Sequence, residues 1–306
     1  MGIRPGVDDR TTGVSEPSHA RIDPGVQTDN EYARLVVDAM GTRFEVFVSA
    51  ARDTRAIAEE AIRVIEGCHA DLTRFEPGGI VWRVNHAAGE SVPVGAEIAG
   101  LLGRCSRYAH ESGNAFSVIR RGSCFVPMSE GLTISDDGRR AGLHSVDHQL
   151  DLGGVAKGYA FDLVREAFGE LPFEAAFLHG GSSTILGLRQ SVTDYRESSW
   201  TVEIDPGDGS PSPSVRLTDR AMSVSSQHGD RPGHIVDPRT GEVAGGVGVA
   251  ACIGESAEET DAWATALAVL GERPACMPQR LTSVVRSRTG WAVEGPDVDA
   301  VGLPEG

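Results

Sequence analysis

Apolar residues recur at spacings of three and four along four segments of the chain, and this periodicity predicts four amphipathic helices. In the first of them, Ile57, Ala61 and Ile65 fall on one face. The predicted helices cover residues 54–72, 96–113, 157–168 and 257–270.

Shorter apolar runs, bounded by glycine and polar turn residues, predict strands. Residues 34–49 form two runs around Met40-Gly41-Thr42, and the run at 175–179 is followed by Gly180-Gly181. Runs of strands interrupted by separate helices, rather than a regular strand–helix alternation, indicate an α+β fold of antiparallel sheets with packed helices. Further strands are predicted at 149–152, 200–204, 222–226, 234–236, 246–253 and 282–293.

The first 30 residues differ from the rest, because they are rich in Pro, Gly, Asp, Ser and Thr and lack periodicity. Such a segment buries little apolar surface, so we expect a disordered arm at 1–30 and a single domain at 31–306. The N-terminus lacks the apolar core of a signal peptide, and no apolar run reaches the ~18 residues of a membrane span. We therefore expect a cytoplasmic protein that does not cross a membrane.

The composition of the chain argues against several classes of function. The net charge of −16 leaves no basic surface of the size that nucleic-acid binding needs. The five cysteines have no Cys-x-x-Cys spacing, so neither a zinc site nor a disulfide framework is expected. Of the 28 basic residues Lys157 is the one lysine. An arginine-rich genome explains that bias, but not why the lysine lies in a glycine-rich segment.

In that segment a predicted strand continues from Asp151 through Gly153-Gly154 into a helix. Adjacent glycines let the backbone approach a ligand closely, and the first N–H groups of a helix bind phosphate. Lys157 would add a positive charge for a diphosphate. The same turn also occurs as a purely structural element, and spacing alone does not decide between the two.

The fourth predicted helix carries Asp261 and Thr265, which are four residues apart and therefore share one face near its exposed start. Ser256 and Glu259 have the spacing of a capping box, and Gly271 would end the helix. A carboxylate beside a hydroxyl or carbonyl oxygen suits Mg²⁺. The structural alternative is an acidic residue that complements the helix dipole.

A third segment, His234-Ile235-Val236-Asp237-Pro238-Arg239-Thr240-Gly241, is a short predicted strand followed by a turn in which proline presets the backbone. A histidine in this place could act as a general base, because the pKa of histidine lies near neutrality. A hydrogen-bonded structural histidine is the alternative.

Together these segments resemble the ApbE family, the FAD:protein FMN transferases, over residues 36–296. The resemblance implies an ApbE-like, T-fold-related α+β architecture with the FAD site between sheet and helix elements. It rests on an ordered set of motifs: Met40-Gly41-Thr42, Arg74-Phe75-Glu76-Pro77 with Asn85, Gly113-Asn114-Ala115-Phe116, residues 151–160, His179-Gly180-Gly181, residues 234–241 and residues 260–267.

Members of that family bind FAD and Mg²⁺, cleave the diphosphate, and attach FMN through a phosphoester to a Thr hydroxyl of a target flavoprotein. The resemblance implies that His234 is the base for the incoming hydroxyl, and that Phe75 stacks on the flavin where the family often has Tyr. The implied FAD contacts are Met40, Phe75, Ala115, Phe116, Ser117, Asp151, Lys157 and Ile235. The implied magnesium site is formed by Asp261 and Thr265, with Gly154 and Ala264 close to the metal.

The chain departs from the family pattern mainly on the flavin side of the expected site, and this weakens the case for transfer more than the case for the fold. Ser117 stands where the family usually has Asp, so one carboxylate contact is lost. Residues 119–130 do not match the usual Gly-Pro-Leu and Trp segment, Gly180-Gly181-Ser182 replaces Gly-Gly-Asn/Asp, and Val224-Ser225-Ser226 replaces Thr-Ser-Gly.

Three functions are therefore considered. The first is a Mg²⁺-dependent FMN transferase that acts on a Thr of an acceptor flavoprotein. The second is an FAD pyrophosphatase, in which water replaces the Thr hydroxyl and FMN and AMP are released. The third is an FAD-binding protein without turnover, which Ser117 and the altered segment after it support.

Overall fold

The protein is described by a computed structural model that covers residues 20–22, 32–189, 200–227, 235–245, 248–287 and 290–304. The helices in these ranges are α1 Thr54–Leu72, α2 Ile80–Asn85, α3 Gly95–Glu111, α4 Met128–Gly131, α5 Ala156–Phe168 and α6 Ala257–Leu270. The strands are β1 Ala20–Ile22, β2 Ala33–Ala39, β3 Thr42–Ser49, β4 Val92–Pro93, β5 Ile119–Arg121, β6 Cys124–Val126, β7 Leu132–Ile134, β8 Arg140–Leu143, β9 His148–Leu150, β10 Ala175–Gly180, β11 Thr184–Leu188, β12 Trp200–Ile204, β13 Ser214–Leu217, β14 Arg220–Ser226, β15 Val249–Gly254, β16 Thr282–Ser287, β17 Gly290–Glu294 and β18 Val301–Gly302. The four helices predicted from periodicity are confirmed as α1, α3, α5 and α6.

An antiparallel sheet with the strand order β17-β16-β15-β14-β11-β10-β3-β2 is the centre of the described structure. Its last two strands form a hairpin whose two-residue turn consists of Met40 and Gly41, at φ 50° and 74°. Positive φ at both positions matches the twist of the flanking strands, which is why such turns favour glycine. The predicted α+β class with antiparallel sheets is confirmed.

The central sheet is covered on both faces. In β10, Ala176 and Leu178 pack on the helix side, whereas Phe177 packs on the opposite side against β12 and β13. Side chains alternate between the two faces of a strand, so a sheet covered on both sides needs continuous apolar runs. The apolar run at 175–179 is of this kind, and it allowed strand β10 to be predicted from the sequence. The face of the central sheet opposite the helices is covered by a four-stranded sheet with the order β1-β12-β13-β18.

Helix α6 is buried almost all around, because it lies between the sheet and the other helices. Ser256 caps it by accepting a hydrogen bond from the backbone N–H of Glu259 at 3.1 Å. The Glu259 carboxylate does not return to Ser256, as a capping box requires, but pairs with Arg280. Gly271 ends the helix in the left-handed conformation at φ 83°, as predicted.

Among the further differences between the structure and the sequence-based expectation, three concern strands. Within the arm expected to be disordered, Ala20–Ile22 is a strand, because its backbone pairs with β12; the other residues of 1–30 lie outside the described ranges. Of the predicted strand at 234–236, His234 lies outside the described residues, and Val236 forms an isolated bridge with Val243. Strand β11 was not predicted. Among the described helices, none is long and apolar enough to cross a membrane.

Candidate functional site

Several of the segments singled out in the sequence meet at one end of the central sheet. The turn at Met40 and the loop after Gly180 are adjacent there, because Gly180 pairs with Phe44 and the N–H of Gly181 donates to the carbonyl of Arg43 at 2.7 Å. The loop leads into Thr184, whose hydroxyl reaches helix α6. The candidate site is built around this end of the sheet.

Helices α5 and α6 cross here at very short distance. A Cβ atom on Gly158 would lie 2.1 Å from the carbonyl oxygen of Ala257, so no other residue fits at this position without moving a backbone. The close approach lets the N–H of Gly158 donate to Asp261 Oδ2 at 3.3 Å and brings Lys157 Nζ to 3.6 Å from the same oxygen. The glycine-rich segment and the fourth predicted helix therefore form one site.

Asp261 lies inside this contact rather than at an exposed helix start, which corrects the expectation from the sequence. The residue is 4% exposed, and Oδ1 accepts a hydrogen bond from the Thr184 hydroxyl at 3.2 Å. The expectation was wrong because β11, which carries Thr184, had not been predicted and covers this face of α6. We call Lys157, Gly158, Thr184, Asp261 and Thr265 the α5–α6 cluster.

The other predicted metal-site residues lie beside Asp261. The Thr265 hydroxyl donates to the backbone carbonyl of Asp261 at 3.1 Å. A Cβ on Gly154 would stand 3.4 Å from Thr265 Oγ1, so the Gly154 backbone and the hydroxyl are neighbours. Ala264 is fully buried, and its carbonyl lies in the helix interior, where carbonyls accept from the N–H four residues ahead.

Asp151 lies at the other end of the glycine-rich loop and is held by two arginines. Its Oδ2 accepts a hydrogen bond from Arg120 Nη1 at 3.0 Å and lies 3.4 Å from Arg74 Nε. Its Oδ1 accepts from the N–H of Gly153 at 3.1 Å. Lys157 Nζ donates to the carbonyl of the same Gly153 at 3.3 Å. We call Arg74, Arg120 and Asp151 the arginine clamp.

Phe75 projects into solvent next to the clamp, with 74% of its surface exposed. The guanidinium of Arg74 lies 4.3 Å from the centre of its ring. An exposed aromatic ring beside a polar site is suited to stacking on a flat ligand. His69 joins this loop to the Met40 turn, because its Nδ1 accepts from the N–H of Met40 at 3.2 Å and its Nε2 is 3.4 Å from Glu76.

Ala115, Phe116 and Ser117 form a buried wall rather than an open surface. Phe116 is 1% exposed, and its ring would lie 3.4 Å from a Cβ on Gly154, so it packs beneath the glycine turn. The Ser117 hydroxyl donates to the carbonyl of Val126 and accepts from the N–H of Ile119 at 3.1 Å. The hydrogen bonds of Ser117 are therefore made within the protein.

The third predicted segment is described only in part, because His234 lies outside the described residues. Ile235 is 7% exposed, and its carbonyl accepts from Gln227 Nε2 at 2.8 Å. In the following turn the Arg239 side chain donates to Asp237 and lowers the pKa of that carboxyl. Cys124 Sγ lies 3.6 Å from the carbonyl of Gly241, which places the turn beside the hairpin β5–β6.

Some site residues were missed in the sequence. Thr184 follows a glycine loop, and no pattern distinguishes it from the serines before it. Arg120 lies within residues 119–130, where the usual Gly-Pro-Leu and Trp segment is absent, so no motif marked it. Asn85 was noted in a motif without a role, and its side chain exchanges two hydrogen bonds with the backbone of Leu150, at 2.9 and 2.7 Å, just before Asp151.

Solved structures of ApbE proteins share this architecture, and their likeness to this chain shows the fold. The ApbE protein of Thermotoga maritima superposes with a TM-score of 0.73 at 21% identity, covering 88% of this chain and 98% of that one. The flavinyl transferase ApbE of Pseudomonas stutzeri gives 0.70 at 20% identity, covering 87% and 94%.

The family itself is shown by the sequence comparison. The model of the ApbE family matches residues 40–121 and 127–282, and the chain belongs to this family. The FAD:protein FMN transferase of Treponema pallidum (strain Nichols) is 28% identical over 294 residues, covering 80% of each protein. That of Rhodobacter capsulatus is 33% identical over 157 residues, which are 48% of this chain and 28% of that protein's length.

Proposed function

We propose that this protein is a Mg²⁺-dependent FAD:protein FMN transferase. The observation that carries the proposal is the α5–α6 cluster, where a buried carboxylate, a hydroxyl and the one lysine of the chain meet a glycine turn at a helix start. The names of the Treponema and Rhodobacter relatives support this activity and an acceptor that is a protein.

The residues present fit a magnesium ion that is held largely by its substrate. Asp261 and Thr265 offer hard oxygen donors one helical turn apart, and the backbone of Gly154 lies beside the Thr265 hydroxyl. In the described ranges no group of three or more His, Cys, Asp or Glu side chains is arranged to hold a metal. A site with one carboxylate is typical of Mg²⁺ that shares its coordination with phosphate oxygens. When bound there, the ion would neutralise charge on the diphosphate.

The protein's own groups bind and orient the diphosphate. Lys157 has three N–H donors; Gly153 accepts one of them, Asp261 lies close to a second, and a third is left for a phosphate oxygen. The N–H groups of Ala156 and Gly158 at the start of the 13-residue helix α5 already donate to Leu152 and Asp261, so this helix start favours an anion through the helix dipole. Phe116 beneath the glycine turn excludes water from that side.

The proposed reaction is a single exchange at the FMN phosphorus. The Thr oxygen of the acceptor bonds to that phosphorus, while the bond between the phosphorus and the bridging oxygen breaks. AMP departs with that oxygen and its electron pair. The Thr proton passes to a base, and His234 remains our candidate. If water takes the place of Thr, the same exchange releases free FMN and AMP.

The test uses the purified full chain with FAD, MgCl₂ and a protein domain that the Treponema relative labels, with that relative as positive control. We expect a flavin-fluorescent acceptor band that survives denaturation and one equivalent of AMP per label. AMP without a labelled acceptor would show a pyrophosphatase instead. FAD binding with neither product would show a binding protein without turnover.

A further inference from the structure

Asp162 lies on α5 one turn after Gly158, at the place where α5 meets the start of α6. Because residues four apart share a helix face, the face of α5 that contacts α6 combines a glycine with a carboxylate. Gly158 lets the two backbones touch, since a Cβ there would lie 2.1 Å from the Ala257 carbonyl oxygen. The contact between the helices therefore consists of a close approach and, one turn further along α5, a charged group.

The Asp162 carboxylate accepts hydrogen bonds from three consecutive residues at the start of α6. Its Oδ1 accepts from the N–H of Ala257 at 2.8 Å, and its Oδ2 accepts from the N–H of Glu258 at 3.0 Å and from the Ser256 hydroxyl at 2.7 Å. The first N–H groups of a helix have no partners within the helix, and a negative charge beside them is stabilising. Helix α6 thus receives its N-terminal carboxylate from another helix.

These bonds determine where Asp261 lies relative to Lys157. Asp261 follows Ala257 by one turn on α6, and Lys157 directly precedes Gly158 on α5, so the 3.6 Å between Lys157 Nζ and Asp261 Oδ2 depends on the placement of the two helices. The N–H of Gly158 donates to the same Oδ2 at 3.3 Å. Bonds from Gly158 and from Asp162, one turn apart, prevent α6 from sliding or turning against α5.

Helix α3 holds the start of α6 independently. The buried Glu258 carboxylate accepts from Arg104 Nη2 at 2.6 Å and from the Tyr108 hydroxyl at 3.0 Å. On the other side, Arg165 Nη1 lies 3.6 Å from Asp162 Oδ1 and donates to the carbonyl of Glu255, just before α6. Because these contacts remain when Asp162 is replaced, its loss should displace α6 rather than unfold it.

We infer that Asp162 is a positioning residue for the α5–α6 cluster: it ties the start of α6 to α5 and so holds the Asp261 carboxylate beside Lys157. This inference rests on the proposed function for the role of the cluster in binding Mg²⁺ and the diphosphate. Asp162 makes its bonds within the protein and lies five residues from Lys157, about 140° around the helix. Its effect on the site therefore passes through α6.

The one lysine of the chain makes the test direct, because full-length protein labelled with ¹³C at the ε carbon of lysine gives a single NMR signal. Asp261→Asn defines the position of that signal when the carboxylate beside Lys157 is gone. Asp162→Ala should move the signal toward this position, and Asp162→Asn, which keeps one acceptor oxygen, should move it less. Binding of Mn²⁺ in the presence of FAD, measured by EPR, should weaken about 10- to 100-fold in Asp162→Ala, as is typical when a group that orients a metal ligand is lost.

Ile204→Val is the matched control, because Ile204 is fully buried in strand β12 and shortening it costs about as much stability as losing a helix cap. The control should lower the melting temperature by a similar few degrees and leave the Lys157 signal and Mn²⁺ binding unchanged. If the Asp162 variants do no more than this control, Asp162 is only a helix cap and the inference is wrong. The Lys157 signal is read without acceptor or metal. An absence of FMN transfer, or of Mn²⁺ binding to the wild type, would therefore count against the proposed function and not against this role of Asp162.

Discussion

The α5–α6 cluster and the arginine clamp are adjacent parts of one site, and they are built in opposite ways. The cluster lies on two regular helices and on strand β11, and its Asp261 is only 4% exposed and contacts three neighbours. The clamp lies on a loop and on short strands, next to a Phe75 ring that is 74% exposed. Changes that remove a hydrogen-bonding group from the cluster, or add bulk to it, therefore affect folding and function together, whereas changes around the clamp affect ligand binding alone.

The largest expected effect is that of Asp261 on activity. Asp261→Asn should reduce FMN transfer by about a hundredfold or more, since the carboxylate would hold the Mg²⁺ ion, and that ion contributes several kcal/mol of charge stabilisation at the diphosphate. The melting temperature should change little. The Asn amide can donate to Thr184, whose hydroxyl is free to rotate and accept, while its oxygen still accepts from Gly158.

Asp261→Ala is the companion variant that separates stability from chemistry. It leaves the Gly158 N–H and the Thr184 hydroxyl buried without their acceptor, at a cost of about 1–3 kcal/mol each. We expect a clearly lower melting temperature for Ala than for Asn, with transfer lost in both. Full activity in Asp261→Asn would refute the metal assignment.

The second prediction concerns the crossing of the two helices. Gly158→Ala should destabilise the protein by about 1–3 kcal/mol or more, because the new methyl group would push α5 away from the Ala257 carbonyl. The same displacement would separate Lys157 from Asp261 and raise the KM for FAD. Thermal unfolding and steady-state kinetics measure the two effects.

Gly67→Ala on α1 is the matched control for this change. A Cβ at Gly67 has open space around it, and alanine is the better helix former by about 1 kcal/mol. Its melting temperature should be unchanged or higher. Equal behaviour of the two variants would show that the close crossing of α5 and α6 is not a constraint.

The smallest expected effect belongs to the exposed side. Phe75→Ala should raise the KM for FAD about 2- to 10-fold, as expected for the loss of a stacking contact worth ~0.5–1.5 kcal/mol. Stability should stay within about 0.5 kcal/mol, because the ring is exposed. Leu303→Ala, a half-exposed residue that follows β18 in the outer sheet, is the control and should leave KM unchanged. A Phe75 variant with unaltered KM would remove the ring from the flavin site.

The same contrast explains what could be predicted from the sequence. Local periodicity predicts helices α1, α3, α5 and α6. The glycines of the site and Asp261 fall at fixed spacings in these segments, so the principal residues of the cluster were predicted as well. Its burial was not, because that depends on Thr184 from a strand about 80 residues away in the chain. Local patterns carry no information on such a pairing.

The pairing within the clamp could not be predicted, although Asp151 was expected in the site and Arg74 belongs to one of the motifs. It exists because Arg120 pairs with Gln149 in one particular register, and a shift of one residue would bring Arg121 to that face instead. Both strands are three residues long, too short for a pattern that fixes register. Ser117 is a similar case: a missing carboxylate suggested a lost ligand contact, but its hydroxyl bonds to Val126 and Ile119.

The central claim is tested most directly by locating the flavin on an acceptor protein. The acceptor domain is incubated with the full chain, FAD and MgCl₂, and its peptides are analysed by mass spectrometry, with a chelator in a parallel reaction. The account predicts one FMN attached through phosphate to a single Thr, absent with the chelator, with Asp261→Asn and when that Thr is replaced by Val. An unmodified acceptor in the presence of Mg²⁺, or an equal label in the presence of the chelator, would contradict it.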